Sequence, residues 1–133
     1  MIFVDTNVIL DVATFDPNWA IWSLDQLELA SASGPLLINE IVYAELSVGY
    51  TLIEELDDLV EQMELEMLQI PRSALFLAGK AYQRYRQSGG TRTGVLPDFF
   101  IGAHAAVLQV PVLTRDVARY RAYFPTVRLI APQ

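Results

Sequence analysis

Four acidic side chains, far apart along the chain, sit where acids can act together. Asp5 directly follows the apolar run Ile2-Phe3-Val4, and Asp116 comes just after Val112-Leu113-Thr114. Asp98 stands at the start of an apolar helical segment that leads into that last run. Glu45 lies at most two turns into the helix that follows Leu36-Leu37-Ile38. In an open parallel sheet, ligands gather beyond the carboxyl ends of the strands, so these four carboxylates can converge on one crevice. Each has a simpler local explanation. Asp5, Asp98 and Asp116 all stand at helix starts, where an acid caps amides and complements the dipole by about 0.5–2 kcal/mol. Glu45 taken alone reads as a solvated helix residue. Capping, however, gives no reason for the caps to share one edge of the sheet.

The chemistry open to such a cluster is that of a hard cation. Two carboxylates about 4 Å apart repel by about 4 kcal/mol at an effective dielectric near 20, so four together are costly without a counter-charge. The chain has no cysteine and a single histidine. Oxygen donors alone select Mg²⁺ or Mn²⁺ over zinc.

The elements that must position these groups follow from periodicity and punctuation. Ile2-Phe3-Val4 reads as a buried strand, with Asp5 or Thr6 capping a short helix to Val12. Pro17 opens a second helix to about Ala32, stopped by Gly34-Pro35. Leu36-Leu37-Ile38 is a second buried strand, and Asn39 caps a helix to about Ser47. An acidic amphipathic helix runs from Thr51 to about Glu64, with Leu52, Leu56, Leu59 and Met63 as its apolar stripe. Glu66 to Ile70 reads as a strand and Arg72 to Arg86 as a helix, before the polar loop Ser88 to Gly94. Pro97 opens a helix to about Leu108. Val110 to Thr114 is a strand, Val117 to Tyr123 a short helix, and Val127 to Ile130 a final strand. Strands alternating with helices imply an α/β fold in three layers, a parallel sheet of four to five strands covered on both faces.

With 133 residues the chain forms one domain, residues 1–133. At 53% hydrophobic and 19% charged residues it is globular, and that apolar share also suggests a homodimer. The opening MIFVDTNVILDV lacks the basic and uninterrupted apolar regions of a signal peptide, and no stretch reaches the length of a membrane span. With no cysteine, a soluble cytoplasmic protein is expected. The net charge of −7 is unevenly divided. Residues 1–70 carry 14 acids and no Lys or Arg; residues 71–133 carry all nine basic residues against Asp98 and Asp116. A negative total argues against nonspecific coating of nucleic acid, while an Arg-rich half beside an acidic one permits a positive track leading to a negative pocket.

The motifs Val4-Asp5-Thr6-Asn7, Asn39 to Leu46 with Gly49 after it, Leu96 to Ala103 and Val112 to Asp116 occur in an order that resembles the PIN-domain nucleases. In size and wording the chain is most similar to the VapC-type toxins of toxin–antitoxin pairs. The resemblance spans the chain from Asp5 to the terminal strand. It implies a Mg²⁺- or Mn²⁺-dependent endoribonuclease with an acidic quartet at Asp5, Glu45, Asp98 and Asp116. It also implies polar supporting residues at Thr6, Asn7 and Thr114. The second motif offers Glu40 as well as Glu45. Five residues on a helix amount to about 500°, so the two point roughly 140° apart. Glu40 adjoins the N-cap and suits the dipole; Glu45 matches the family pattern and is preferred.

The expected reaction is hydrolysis of an RNA phosphodiester leaving a 5′-phosphate and a 3′-hydroxyl, with Asp5 and Asp98 as direct ligands and Glu45 and Asp116 ligating directly or through water. The resemblance further implies a structured RNA substrate such as tRNA and an antitoxin partner that covers the groove. A housekeeping RNA-processing nuclease of the same fold is the alternative. A receiver-like metal-binding signalling domain also gathers acids at strand ends, but no Asp occurs between 59 and 97 and Lys80 is the sole lysine. His104 reads as structural, and Trp19 and Trp22 as core or dimer contacts. Arg92, Arg115, Arg119 and Arg121 can bind phosphates or simply satisfy solvent and helix carbonyls, and stay outside the site.

Overall fold

A computed structural model describes residues 1–92 and 94–133. Thr93, in the polar loop read at 88–94, lies outside the described residues. Five strands form one parallel sheet in the order β3-β2-β1-β4-β5. They are β1 (Ile2–Val4), β2 (Leu36–Asn39), β3 (Leu65–Leu68), β4 (Val112–Leu113) and β5 (Leu129–Ile130). Among the described residues seven helices connect them: α1 (Thr6–Ala13), α2 (Ala20–Ser33), α3 (Glu40–Ser47), α4 (Ile53–Gln62), α5 (Arg72–Gln87), α6 (Leu96–Leu108) and α7 (Ala118–Tyr123). The chain winds outward from β1 to β3, then crosses back to place β4 on the other side of β1. Crossover helices on both sides of this reversal cover both faces and give the three-layer α/β arrangement expected from the sequence.

The central strands are apolar on both sides because both faces are covered. Phe3, Val4, Leu37, Ile38, Val112 and Leu113 are fully buried. Behind them, α6 carries Phe99 into a cluster with Tyr82, Tyr85, Tyr123 and Phe124. Gly102 lets α6 approach this cluster, since a Cβ there would collide with the Phe124 ring. The α6 helix ends at Gln109, which adopts a left-handed conformation (φ 57°).

Several boundaries shift from those read in the sequence, each for a local reason. The second helix begins at Ala20, not Pro17, because Asp16 Oδ1 accepts the Asn18 and Trp19 N–H groups (both 2.9 Å) and holds those residues in a turn. β3 starts one residue early and stops at Leu68, since the Ile70 N–H turns away to Glu40 Oε1 (2.9 Å). The Leu52 N–H is held by Glu55 Oε1 (3.1 Å), so α4 starts at Ile53. The last two strands are only two residues long, trimmed where the chain enters its connections. Among the described residues no helix is long and apolar enough to cross a membrane.

Candidate active site at the carboxyl edge of the sheet

Strand order reverses between β1 and β4, and the carboxyl ends of these two strands frame the crevice where such sheets place their ligands. Asp5 leaves β1 at this point. It is 5% exposed and held by close donors. Its Oδ1 accepts the Thr6 N–H (2.7 Å), capping α1; its Oδ2 accepts the hydroxyls of Thr114 and Tyr120 (both 2.8 Å). Burial pushes the Asp5 carboxyl above its ordinary pKa, the three hydrogen bonds oppose that shift, and the Asp116 charge adds to it.

The other three carboxylates share this edge. Thr6 Oγ1 donates to Glu45 Oε1 (2.7 Å), tying α3 to the start of α1. Desolvation raises the Glu45 pKa, Thr6 lowers it, and Asp5 raises it again. Asp98 sits in the first turn of α6, where it complements the helix dipole, and Asp116 just ahead of α7; among the described residues neither side chain accepts an amide of its helix. Side-chain capping thus applies to Asp5 and not to those two. Asp98 instead meets Arg119 (Nη1 to Oδ2, 3.2 Å). Its carboxyl is pushed up to about 6, first by desolvation and then by Asp5, Glu45 and Asp116, with Arg119 pulling the other way. Asp116 is exposed, and its backbone N–H is anchored by Thr114 Oγ1 (3.1 Å).

The four acids expected from the sequence therefore lie within one another's electrostatic reach. Glu40 does not join them, being engaged by the Ile70 N–H. The donor set suits a hard divalent cation: it is all oxygen, and neighbouring carboxylates raise the pKa of Asp5, Glu45 and Asp98 as like charges do. Among the described residues, no three of these groups stand close enough to make a ready cage for an ion. Glu45 is turned to Thr6 and Asp98 to Arg119, so a cation must compete with those partners.

Residues that sequence reasoning left out hold this edge in place. Tyr120 is buried and its hydroxyl is committed to Asp5; desolvation and the nearby carboxylates hold its pKa well above the ordinary value. A buried Tyr needs a partner for its hydroxyl, and Tyr120 falls one helical turn past Asp116, which was the available clue. Arg115 is a clamp. Its Nε and Nη2 grip the buried Asp11 in a bidentate pair (2.6 and 2.8 Å), and its guanidinium lies 5.2 Å from the Trp19 ring. Ser23 supplies Asp11 with a further hydroxyl (2.8 Å). The Arg115 N–H also bonds Asn7 Oδ1 (3.3 Å), so the β4–α7 connection carrying Asp116 is fastened to α1 and α2. Trp19 and Trp22 meet edge to face at 5.9 Å.

His104 takes no part in this site. It is 1% exposed and packs against Phe3. Asn39 Oδ1 accepts the Ile41 and Val42 N–H groups, which leaves its Nδ2 to donate to His104 Nδ1 (3.1 Å). The ring is therefore neutral, in keeping with a pKa lowered by burial.

Comparison with known proteins agrees with this fold. The fold is similar to that of a chain in the VapBC2 complex of Rickettsia felis bound to a DNA fragment from their promoter (TM-score 0.76, 21% identity, 100% of both chains covered). It is also similar to a chain in a toxin–antitoxin complex from Klebsiella pneumoniae (0.72, 20%, covering 100% of this chain and 98% of that one). FitAcB from Neisseria gonorrhoeae gives 0.65 at 23% identity, with 98% and 96% covered. No curated protein sequence matches the chain. The PIN domain family matches residues 2–125, taking in all four carboxylates. The chain belongs to the PIN domain family.

Proposed function

We propose that this protein is a divalent-cation-dependent endoribonuclease, and that it serves as the toxin of a toxin–antitoxin pair. The observation that carries the nuclease reading is the gathering of Asp5, Glu45, Asp98 and Asp116 at the switch point of the sheet, near enough for the other three to raise the Asp98 pKa. Membership of the PIN family over residues 2–125 supports it.

Asp5 and Asp98 would hold the cation directly, with Glu45 and Asp116 binding it directly or through water; Mg²⁺ is the first candidate and Mn²⁺ the second. When bound, the cation offsets the carboxylates' repulsion and supplies charge stabilisation for phosphodiester hydrolysis. Thr114 and Tyr120 favour the ionised form of Asp5 and fix its direction by donating to its Oδ2. Thr6 aims Glu45 into the crevice. The Asp11–Arg115 clamp holds the connection that carries Asp116.

The toxin role is supported by likeness to a chain solved in a toxin–antitoxin complex from Klebsiella pneumoniae and to one in VapBC2 from Rickettsia felis. We place the protein in the cytoplasm, acting on a structured RNA such as tRNA. An antitoxin would cover the carboxylate crevice, and exposed apolar side chains such as Ile21, Leu24 and Leu29 on α2 suit a homodimer contact. The test is cleavage of RNA by native protein and by Asp98→Asn with Mg²⁺ and with chelator. Native cleavage that needs Mg²⁺ and is lost in Asp98→Asn is expected. Equal cleavage by both proteins refutes the site. Growth arrest on expression, relieved by the product of a neighbouring gene, separates a toxin from a housekeeping nuclease.

A further inference from the structure

Two arginines flank the last carboxylate, and they are engaged very differently. Arg115 uses both Nε and Nη2 on Asp11 at 2.6 and 2.8 Å. Arg119 makes one longer contact, Nη1 to Asp98 Oδ2 at 3.2 Å, while its buried Nε has no hydrogen-bond partner among the described residues. Its guanidinium lies 6.0 Å from the ring of Tyr85, whose hydroxyl accepts the Arg92 N–H (3.1 Å). Beside it opens a cavity of about 270 Å³ lined by Arg92, Gly94, Val95, Asp98 and Arg119. Asp98 is the single acid among the residues named for that lining.

An arginine fork with spare donors, next to a second arginine and against the carboxylate crevice, has the chemistry of a phosphate receptor. We propose that Arg119 and this cavity form a subsite for an RNA backbone phosphate adjacent to the one that is cut. The proposal rests on the nuclease reading and adds to it a residue that touches the substrate. A bound divalent cation would compete with Arg119 for Asp98 Oδ2 and so leave Nη1 available to the phosphate. Arg115 cannot serve in the same way, because Asp11 already takes its fork.

The experiment measures kcat and KM for Mg²⁺-dependent cleavage of a fluorescein-labelled single-stranded RNA 15-mer pool across a range of KCl concentrations. It compares native protein, Arg119→Gln, Arg119→Lys and Arg121→Gln, the last an exposed arginine on the same helix. Arg119→Gln is expected to lower kcat/KM by about tenfold or more, chiefly through KM. It should also flatten the dependence of log kcat/KM on log salt by about 0.7, the value of one lost single-strand phosphate contact. Arg119→Lys should restore the salt slope, because it restores the charge, and recover only part of kcat/KM. Arg121→Gln should leave both near native. An Arg119→Gln protein that is folded by circular dichroism and cleaves with native KM and native salt slope overturns the subsite and leaves the nuclease reading standing. Absence of any Mg²⁺-dependent cleavage by native protein overturns the nuclease reading and the subsite with it.

Discussion

The Tyr120 hydroxyl donates to Asp5 Oδ2 at 2.8 Å across 115 residues of sequence. Thr114 Oγ1 donates to the same oxygen. Asp5 is thus a buried carboxyl whose ionised form is favoured by donors from the far end of the chain, and removing one donor has a pH-dependent cost. Tyr120→Phe should destabilise the protein by about 1–3 kcal/mol at neutral pH, the range for a buried polar group left without its partner. Because the bond favours the ionised form, its loss raises the folded pKa of Asp5 further, and the deficit should shrink at acid pH where Asp5 is protonated. Urea unfolding of both proteins at pH 7 and pH 4 checks this; a deficit that does not depend on pH contradicts it.

Asp98 sets the pH dependence of the cation-free protein. Its folded pKa of about 6 lies above the ordinary value of 3.8. A carboxyl raised in the folded state contributes stability that is present below the unfolded pKa and is lost as pH rises through the folded one. Cation-free protein should therefore lose stability between about pH 4 and pH 6. The bound is about 3 kcal/mol for a shift of that size, and the real loss is smaller because the side chain is 32% exposed and water screens it. Asp98→Asn should flatten the profile, and saturating Mg²⁺ should oppose the loss. Thermal melts at pH 4, 5, 6 and 7 give the slope; a cation-free protein that grows more stable over this window, with Asp98→Asn following the same curve, rules the account out.

The clamp makes a separate prediction about stability. Asp11 is buried and pairs with Arg115 and Ser23. Asp11→Ala strands a half-buried guanidinium and a buried hydroxyl, which should cost about 3 kcal/mol or more. A loss under about 1 kcal/mol in urea unfolding would mean that solvent replaces the clamp freely.

The two glutamates of α3 can be told apart by activity. Glu45 bonds Thr6 beside the crevice, whereas Glu40 bonds the Ile70 N–H at the end of β3. Glu45→Gln should weaken cleavage about 10- to 100-fold, the scale for groups that orient or bind a cation. Glu40→Gln should leave cleavage near native. The reverse ranking, measured under identical Mg²⁺, would move the site to the wrong side of α3.

Much of this architecture was readable from local rules. Apolar runs ending at Asp5 and Asn39 marked two central strands, and Asn39 caps α3 with both Ile41 and Val42 amides as its residue type predicts. His104 read as structural and packs against Phe3 and Asn39. Long-range pairings were not readable in this way. Arg115 seemed as free to meet a phosphate as Arg119 until Asp11, 104 residues earlier, was seen to occupy it. Tyr120 gave no periodic signal that it would reach Asp5. The turn at Asp16 was missed because Pro17 is equally at home at a helix start.

The central claim is that carboxylates from four segments jointly bind a divalent cation. Calorimetric titration of Mn²⁺ into metal-free native protein and into Asp98→Asn, both folded by circular dichroism, addresses it without reference to any RNA. Saturable binding to native protein, weakened about 10- to 100-fold or lost in Asp98→Asn, is the predicted result. Equal Mn²⁺ binding by the two proteins, or none by the native one, would contradict it.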